Sequence, residues 1–203
     1  MAIDKTALFK IGYGLYAVTC NDGTKDNALI VNTVIQITDT PLRISVTINK
    51  NNYSHDVILN TGVLNVCCLS ETTPYEIFEK LGMHSGKHED KLNSLHTWQA
   101  PNGLPLLSCE YMNAYLCLKV VDTVDVGTHT IFICDVTDSM SCTNEPSMTY
   151  AYYHANVKPK PQAKKKGFVC KICGYVHEGD TLPNDFICPW CKHSADFFEP
   201  IEE

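Results

Sequence analysis

Four cysteines near the C-terminus carry the clearest chemistry in this 203-residue chain. Cys170-Lys-Ile-Cys173 and Cys188-Pro-Trp-Cys191 are two Cys-x-x-Cys knuckles with fourteen residues between them. In such a knuckle two thiolates reach one ion while the backbone turns tightly around the sulfurs. Gly174 suits the turn position that needs a positive φ. Four thiolates at this spacing specify a tetrahedral site for zinc or for a single iron. Zinc ribbons use the same knuckles, so spacing alone leaves the metal open. The neighbourhood favours iron: Phe168, Tyr175, Phe186, Trp190, Phe197 and Phe198 can wrap the sulfurs in an apolar shell. Such a shell shields a charged redox centre and tunes its potential. His177 and His193 read as surface residues, because four thiolates already complete the coordination.

An iron tetrathiolate carries single electrons, whereas pyridine nucleotides deliver hydride. A flavin converts one into the other, which makes a flavin site the feature to seek in the rest of the chain. Asn49-Lys-Asn-Asn-Tyr-Ser-His55 joins a strand to a helix start. Free amides there, with Lys50, Asn52 and Ser54, suit a phosphate. Ser85-Gly86-Lys87 is a second small, basic turn. On the residues alone both signals are weak, and ordinary helix capping explains them better. No Gly-x-Gly-x-x-Gly follows a strand, so a Rossmann site for NADH is not expected, and a nicotinamide would have to stack directly on the flavin.

Seven of the eleven cysteines remain: Cys20, Cys67, Cys68, Cys109, Cys117, Cys134 and Cys142. Most sit in apolar, strand-like runs, which predicts free, buried thiols in a reducing cytoplasm. Cys67 and Cys68 are neighbours, but alternate strand residues face opposite ways, which disfavours a redox pair. The net charge of -7 argues against a general nucleic-acid binder. No apolar run approaches the ~20 residues of a membrane helix, and the start, Met-Ala-Ile-Asp-Lys, lacks the apolar stretch of a signal peptide.

These residues need elements to position them. Residues 157–167 contain two prolines and many lysines, and read as an extended, solvated linker. Lys158, Lys160, Lys164, Lys165 and Lys166 crowd that stretch. The predicted domains are therefore 1–156 and 168–203. In the first, Val31–Ile37 alternates with Val31, Thr33, Ile35 and Ile37 on one face. Arg43–Ile48 alternates with Ile44, Val46 and Ile48 inward. Val63–Leu69, Ala114–Val121, Thr130–Val136 and Gly12–Thr19 are further strand-like runs. Thr73-Pro-Tyr-Glu76 has the form of a capping box opening a helix that stops at Gly82. A second short helix follows Asn52 and ends before Gly62. Many strands and few helices over ~150 residues predict a mainly β fold closed into a barrel.

The C-terminal segment resembles rubredoxin, in the short form that ends the rubrerythrins. The resemblance lies in Phe168-Val-Cys-Lys-Ile-Cys-Gly-Tyr-Val-His-Glu-Gly179, Ile187-Cys-Pro-Trp-Cys191 and Phe197-Phe198. Residues 5–155 resemble the flavin-reductase-like family through Gly12-Tyr-Gly-Leu-Tyr, Ala28–Thr33, Asn49–His55, Ser85-Gly-Lys, Gly127–Ile133 and Met148-Thr-Tyr-Ala-Tyr-Tyr-His154. Together the two segments are similar to the high-molecular-weight rubredoxins. This implies an FMN-binding split β-barrel, a homodimer, and electron flow from NADH through FMN and Fe(Cys)4 to a flavodiiron protein that reduces nitric oxide or dioxygen. It also implies that Asn32, Thr33 and Val34 face the isoalloxazine edge. Asn49, Lys50, Asn52, Ser54 and His55, completed by Ser85, Gly86 and Lys87, would hold the phosphate and ribityl chain. Lys87 stands where relatives commonly have arginine. His129 is expected near the flavin or nicotinamide, and Tyr152, Tyr153 and His154 beside the flavin. Two alternatives remain: a flavin or ferric reductase whose metal segment only docks, and a zinc-ribbon binding module.

Overall fold

The computed structural model describes residues 4–159 and 167–201. Seven strands form one antiparallel sheet in the order β2-β1-β5-β8-β9-β4-β3. They are β1 (Tyr16–Asn21), β2 (Asp26–Val31), β3 (Val34–Asp39), β4 (Leu42–Asn49), β5 (Val63–Leu69), β8 (Met112–Asp125) and β9 (His129–Ser141). A small hairpin of β6 (Thr97–Gln99) and β7 (Pro105–Leu107) packs beside them. Two helices, α1 (Tyr53–Thr61) and α2 (Tyr75–Gly82), flank β5.

The sheet curls because strands far apart in its order share one interior. Val18 and Cys20 of β1, Leu29 of β2, Val46 and Ile48 of β4, and Phe132 of β9 belong to a single buried cluster. The opposite face of β1 and β5 puts Ala17, Cys67 and Leu69 into a second core under Phe78 and Leu81 of α2. Central strands buried on both faces read as continuous apolar runs, and β1 and β5 do so. Cys20, Cys67, Cys117 and Cys134 are buried in these cores. Burial pushes the thiols of Cys20, Cys67 and Cys134 up to about 12, so they are inert packing groups.

The structure corrects three local expectations. Val31–Ile37 is not one strand: β2 ends at Val31 and β3 begins at Val34. On β3, Ile35 is 64% and Ile37 47% exposed, because among the described residues no layer covers the outer face of this edge strand. The capping box does not form. Pro74 is the N-cap of α2, and the Thr73 hydroxyl donates 2.6 Å away to the Tyr111 carbonyl. The linker is not solvated throughout. Val157 ends a π-helix that begins at Tyr153, and the Lys158 ammonium donates to the Ile172 carbonyl at 3.1 Å. Lys160, Lys164, Lys165 and Lys166 lie outside the described residues. The helix stop at Gly62 follows expectation, with φ +69 in the left-handed region.

The C-terminal segment forms a three-stranded sheet, β11-β10-β12, from β10 (Gly167–Cys170), β11 (Val176–Glu178) and β12 (Phe198–Pro200). It is too small for a conventional core. Cys170, Ile172 and Cys188 are its buried residues, with Tyr175, Trp190, Phe197 and Phe198 packed around them. Among the described residues, no helix is long and apolar enough to cross a membrane.

Candidate metal centre and flavin site

The two knuckles are built alike. The Gly174 amide donates to the Cys170 carbonyl at 2.8 Å, and the Lys192 amide to the Cys188 carbonyl at 2.9 Å. The Cys170 amide donates to the Tyr175 carbonyl and the Cys188 amide to that of His193, both at 2.8 Å. These matched turns bring four sulfurs within 4.8 Å of one another. The Sγ of Cys170 is 3.6 Å from that of Cys191, and Cys173 is 3.4 Å from Cys188. A tetrahedron with metal–sulfur bonds of about 2.3 Å has edges of about 3.8 Å, so this cage fits one tetrathiolate ion. Hydrogen bonding to Cys173, then to Cys188 and Cys191, pulls the Cys170 thiol far down; hydrogen bonding to Cys170 first pushes Cys191 far up. Four sulfurs this close cannot all ionise unless a cation takes the place of the shared protons. His177 packs on Phe186 and His193 on Phe197, outside the cage.

A small cavity of about 160 Å³ opens between this module and the barrel. Its walls include Asn27, Asn52, Ser54, Ser85, Gly86 and Lys91 from the barrel, and Trp190 and Lys192 from the second knuckle. Two lysines shape the loop after α2. Lys25 donates to the carbonyls of Gly86 and Glu89 at 2.7 and 2.8 Å, and Lys91 to those of Leu81 and His84 at 2.7 and 3.1 Å. The Asn27 amide donates to the buried Ser54 hydroxyl at 2.6 Å. Its Oδ1 is buried with no partner. A half-turn of that amide, with the Ser54 hydroxyl donating, would put an NH2 donor in its place beside Gly86. The buried, unpartnered Asn27 oxygen and the buried Lys91 both belong to the wall of this cavity. Burial lowers the Lys91 ammonium to about 8, so it is cationic at neutral pH. These residues fit a phosphate group.

A larger cavity of about 710 Å³ is lined by residues 11–14, Tyr16, residues 147–151 and His154, with Lys171 and Ile172 from the first knuckle. Its wall is mostly apolar and aromatic, as suits a planar ring. The His154 ring lies 4.5 Å from that of Tyr150, and its Nε2 is buried without a partner. Burial, then the Lys158 charge, lowers His154 to about 4.

The structure gathers some of the expected residues and disperses others. Asn52, Ser54, Ser85 and Gly86 line the small cavity, and His154 lines the large one. Lys87 is exposed at the turn. Asn49 caps its own turn by accepting from the Asn51 amide, and Lys50 is paired with Asp125 at 2.7 Å. His55 is buried, with Asp56 and Thr130 on its two nitrogens at 2.8 and 2.9 Å. Asn32 is half-buried between β2 and β3, the Thr33 hydroxyl donates to the Thr47 carbonyl, and Val34 packs on the barrel core. Tyr153 packs on Phe78 at 4.7 Å, while Tyr152 is half-buried at the rim of the same core. His129 opens β9 beside Thr128, at 2.8 Å, and is held below the usual histidine value by burial and then by His193. Asn27, Lys91, Tyr150 and Lys192 escaped the sequence reading, and Trp190 was expected only in the shell around the sulfurs. Tyr150 lies inside the quoted C-terminal motif, but nothing local marks Asn27 or Lys91.

Comparison with known proteins agrees with this geometry. The family described as flavin reductase like domain matches residues 8–160, and the rubrerythrin rubredoxin-like domain matches residues 168–199. The chain is 34% identical to the high molecular weight rubredoxin of Moorella thermoacetica, over 98% of this chain and 100% of that protein. It is 34% identical to a ferric-chelate reductase (NAD(P)H) of Archaeoglobus fulgidus, over 78% of this chain and 93% of that one. The fold matches the NADH:FAD oxidoreductase of Streptomyces globisporus with TM-score 0.65 at 16% identity, covering 73% and 92% of the two chains. It also matches an FMN-binding protein from Thermus thermophilus with TM-score 0.62 at 16% identity, covering 70% and 77%.

Proposed function

Because the chain belongs to the flavin reductase-like family, in the form that ends in a rubredoxin-like domain, we propose that it is an NADH-dependent electron-transfer flavoprotein. It would use FMN and one iron ion to pass electrons to a flavodiiron protein that reduces nitric oxide or dioxygen. The observation that carries this reading is the packing of the thiolate cage against the barrel, with one wall of each cavity supplied by the metal module. When bound, FMN supplies the exchange of a hydride for single electrons, and the iron a one-electron site.

This chain's residues would then do the following. Lys91, Ser54 and the turned amide of Asn27 hold the phosphate, and Gly86 lets the loop approach Asn27 closely. Tyr16, Tyr150 and His154 offer an apolar wall against which rings stack and from which water is excluded. His154 stays neutral through the physiological range, so it can donate or accept one hydrogen bond without adding charge. Cys170, Cys173, Cys188 and Cys191 hold the iron. The chemistry asks for positioning more than for acid–base groups. A homodimer is supported by the exposed apolar edge of Ile35, Ile37 and Leu42.

The test is stopped-flow spectroscopy with NADH, following flavin and iron absorption together. Flavin bleaching first and iron second is the expected order; a protein whose visible spectrum shows no iron tetrathiolate removes the reading. A second reading, as a flavin or ferric reductase, draws on the similarity to the Archaeoglobus ferric-chelate reductase. Retention of FMN through gel filtration would count against flavin as a released product.

A further inference from the structure

Lys192 has φ +62 and, among the described residues, is the one non-glycine residue with positive φ. Its counterpart in the first knuckle is Gly174, at φ +78. Both amides close the same turn onto the first cysteine of their knuckle. The turn is therefore one that glycine fills without strain, and a side chain there costs backbone energy. An outlier of this kind persists only where its surroundings hold it, and it raises the question of what the side chain does. Here the residue forms part of the wall of the small cavity, and its ammonium donates to the Pro189 carbonyl of its own knuckle at 2.8 Å. The same cavity is lined by Lys91, Ser54 and Asn27, whose buried Oδ1 has no partner. Trp190, of the same knuckle, also belongs to that wall.

We propose that the metal module is part of the flavin-phosphate site, with Lys192 supplying a cation to the phosphate from across the module boundary. The inference rests on the FMN reading above. A phosphate monoester carries close to two negative charges and accepts several hydrogen bonds. Lys91 already spends two of its three N–H donors on carbonyls. A second ammonium completes the charge balance, and it arrives only when the module is seated. Phosphate binding and module docking are then one linked equilibrium: each strengthens the other by the same factor. The module would be seated where electrons can reach it when flavin is bound, and freer to leave when flavin is absent.

The test uses the full chain, stripped of flavin and holding its iron. FMN and riboflavin are titrated by flavin-fluorescence quenching into the unaltered protein, Lys192→Gly and Lys192→Arg. Glycine relieves the turn, so the iron spectrum and the fold should be kept. The expected result is an FMN Kd about tenfold weaker for Lys192→Gly. Riboflavin binding should not change, and Lys192→Arg should restore most of the FMN affinity. An unchanged FMN Kd in Lys192→Gly overturns the proposal. An equal loss for FMN and riboflavin also overturns it, because Lys192 would then act through the module's shape and not on phosphate. If the unaltered protein binds neither flavin, the FMN reading itself fails.

Discussion

Gly86 and Asn27 are packed so closely that a Cβ on Gly86 would overlap the Asn27 side-chain amide. The loop after α2 can reach the small cavity only because this residue has no side chain. Lys25 and Lys91 hold the loop there by gripping carbonyls on either side of it.

Gly86→Ala should therefore displace either the loop or the Asn27 amide. Crowding of this kind costs about 1–3 kcal/mol of stability. The FMN Kd should rise about tenfold or more, as read by fluorescence titration, with a lower Tm by calorimetry. An FMN affinity equal to that of the parent would show that the loop does not touch the ligand.

FMN affinity should depend on pH through Lys91. Its pKa is lowered to about 8, so the folded protein carries the charge below that value and loses it above. Raising the pH from 7 to 9 should weaken FMN binding and leave riboflavin binding level. In Lys91→Met the FMN curve should be flat and weak throughout. For stability the sign is opposite. The unfolded lysine keeps its proton to about 10.4, so stability should rise between about pH 8 and 10.4 as the buried charge is relieved.

Cys188→Ser should empty the cage while sparing the barrel. Cys188 is fully buried among the four sulfurs, and three thiolates with a hydroxyl hold iron poorly. Metal analysis should show loss of iron, and transfer to an external acceptor should stop. Reduction of bound flavin by NADH should continue; if it stopped too, the separation of the two redox sites would be wrong.

Ile35→Asp places a charge in the middle of the exposed apolar edge of β3. If that edge is a dimer interface, each isoleucine buried there contributes about 1.5–3 kcal/mol. Analytical ultracentrifugation should then find a monomer. A dimer that persists unchanged would move the interface elsewhere.

The metal centre was legible in the sequence because its ligands are local. Two Cys-x-x-Cys turns carry their own geometry, so spacing nearly dictates the cage. Strands were legible where a run faced one core, as with Ile44, Val46 and Ile48, all buried. Alternation misled at Ile35 and Ile37, because a pattern records which residues share a face but not whether anything covers it. The Thr73 box misled because Thr73 found the Tyr111 carbonyl, distant in sequence, instead of its own helix.

The flavin site divides in the same way. Ser54, Ser85 and Gly86 could be proposed from short motifs, since a phosphate cradle favours small polar turns. Lys50 and His55 sit in the same motif, yet one is drawn to Asp125 and the other into the barrel toward Thr130. Asn27, Lys91 and Lys192 come from three remote segments and meet at one cavity. The sequence by itself determined the four-sulfur site and the β-rich body, because short-range spacing and periodicity specify both. Only the tertiary structure decided which polar residues face a common space and that the metal module forms one of its walls. That outcome depends on long-range packing and on competition among hydrogen-bond partners, which no local pattern encodes.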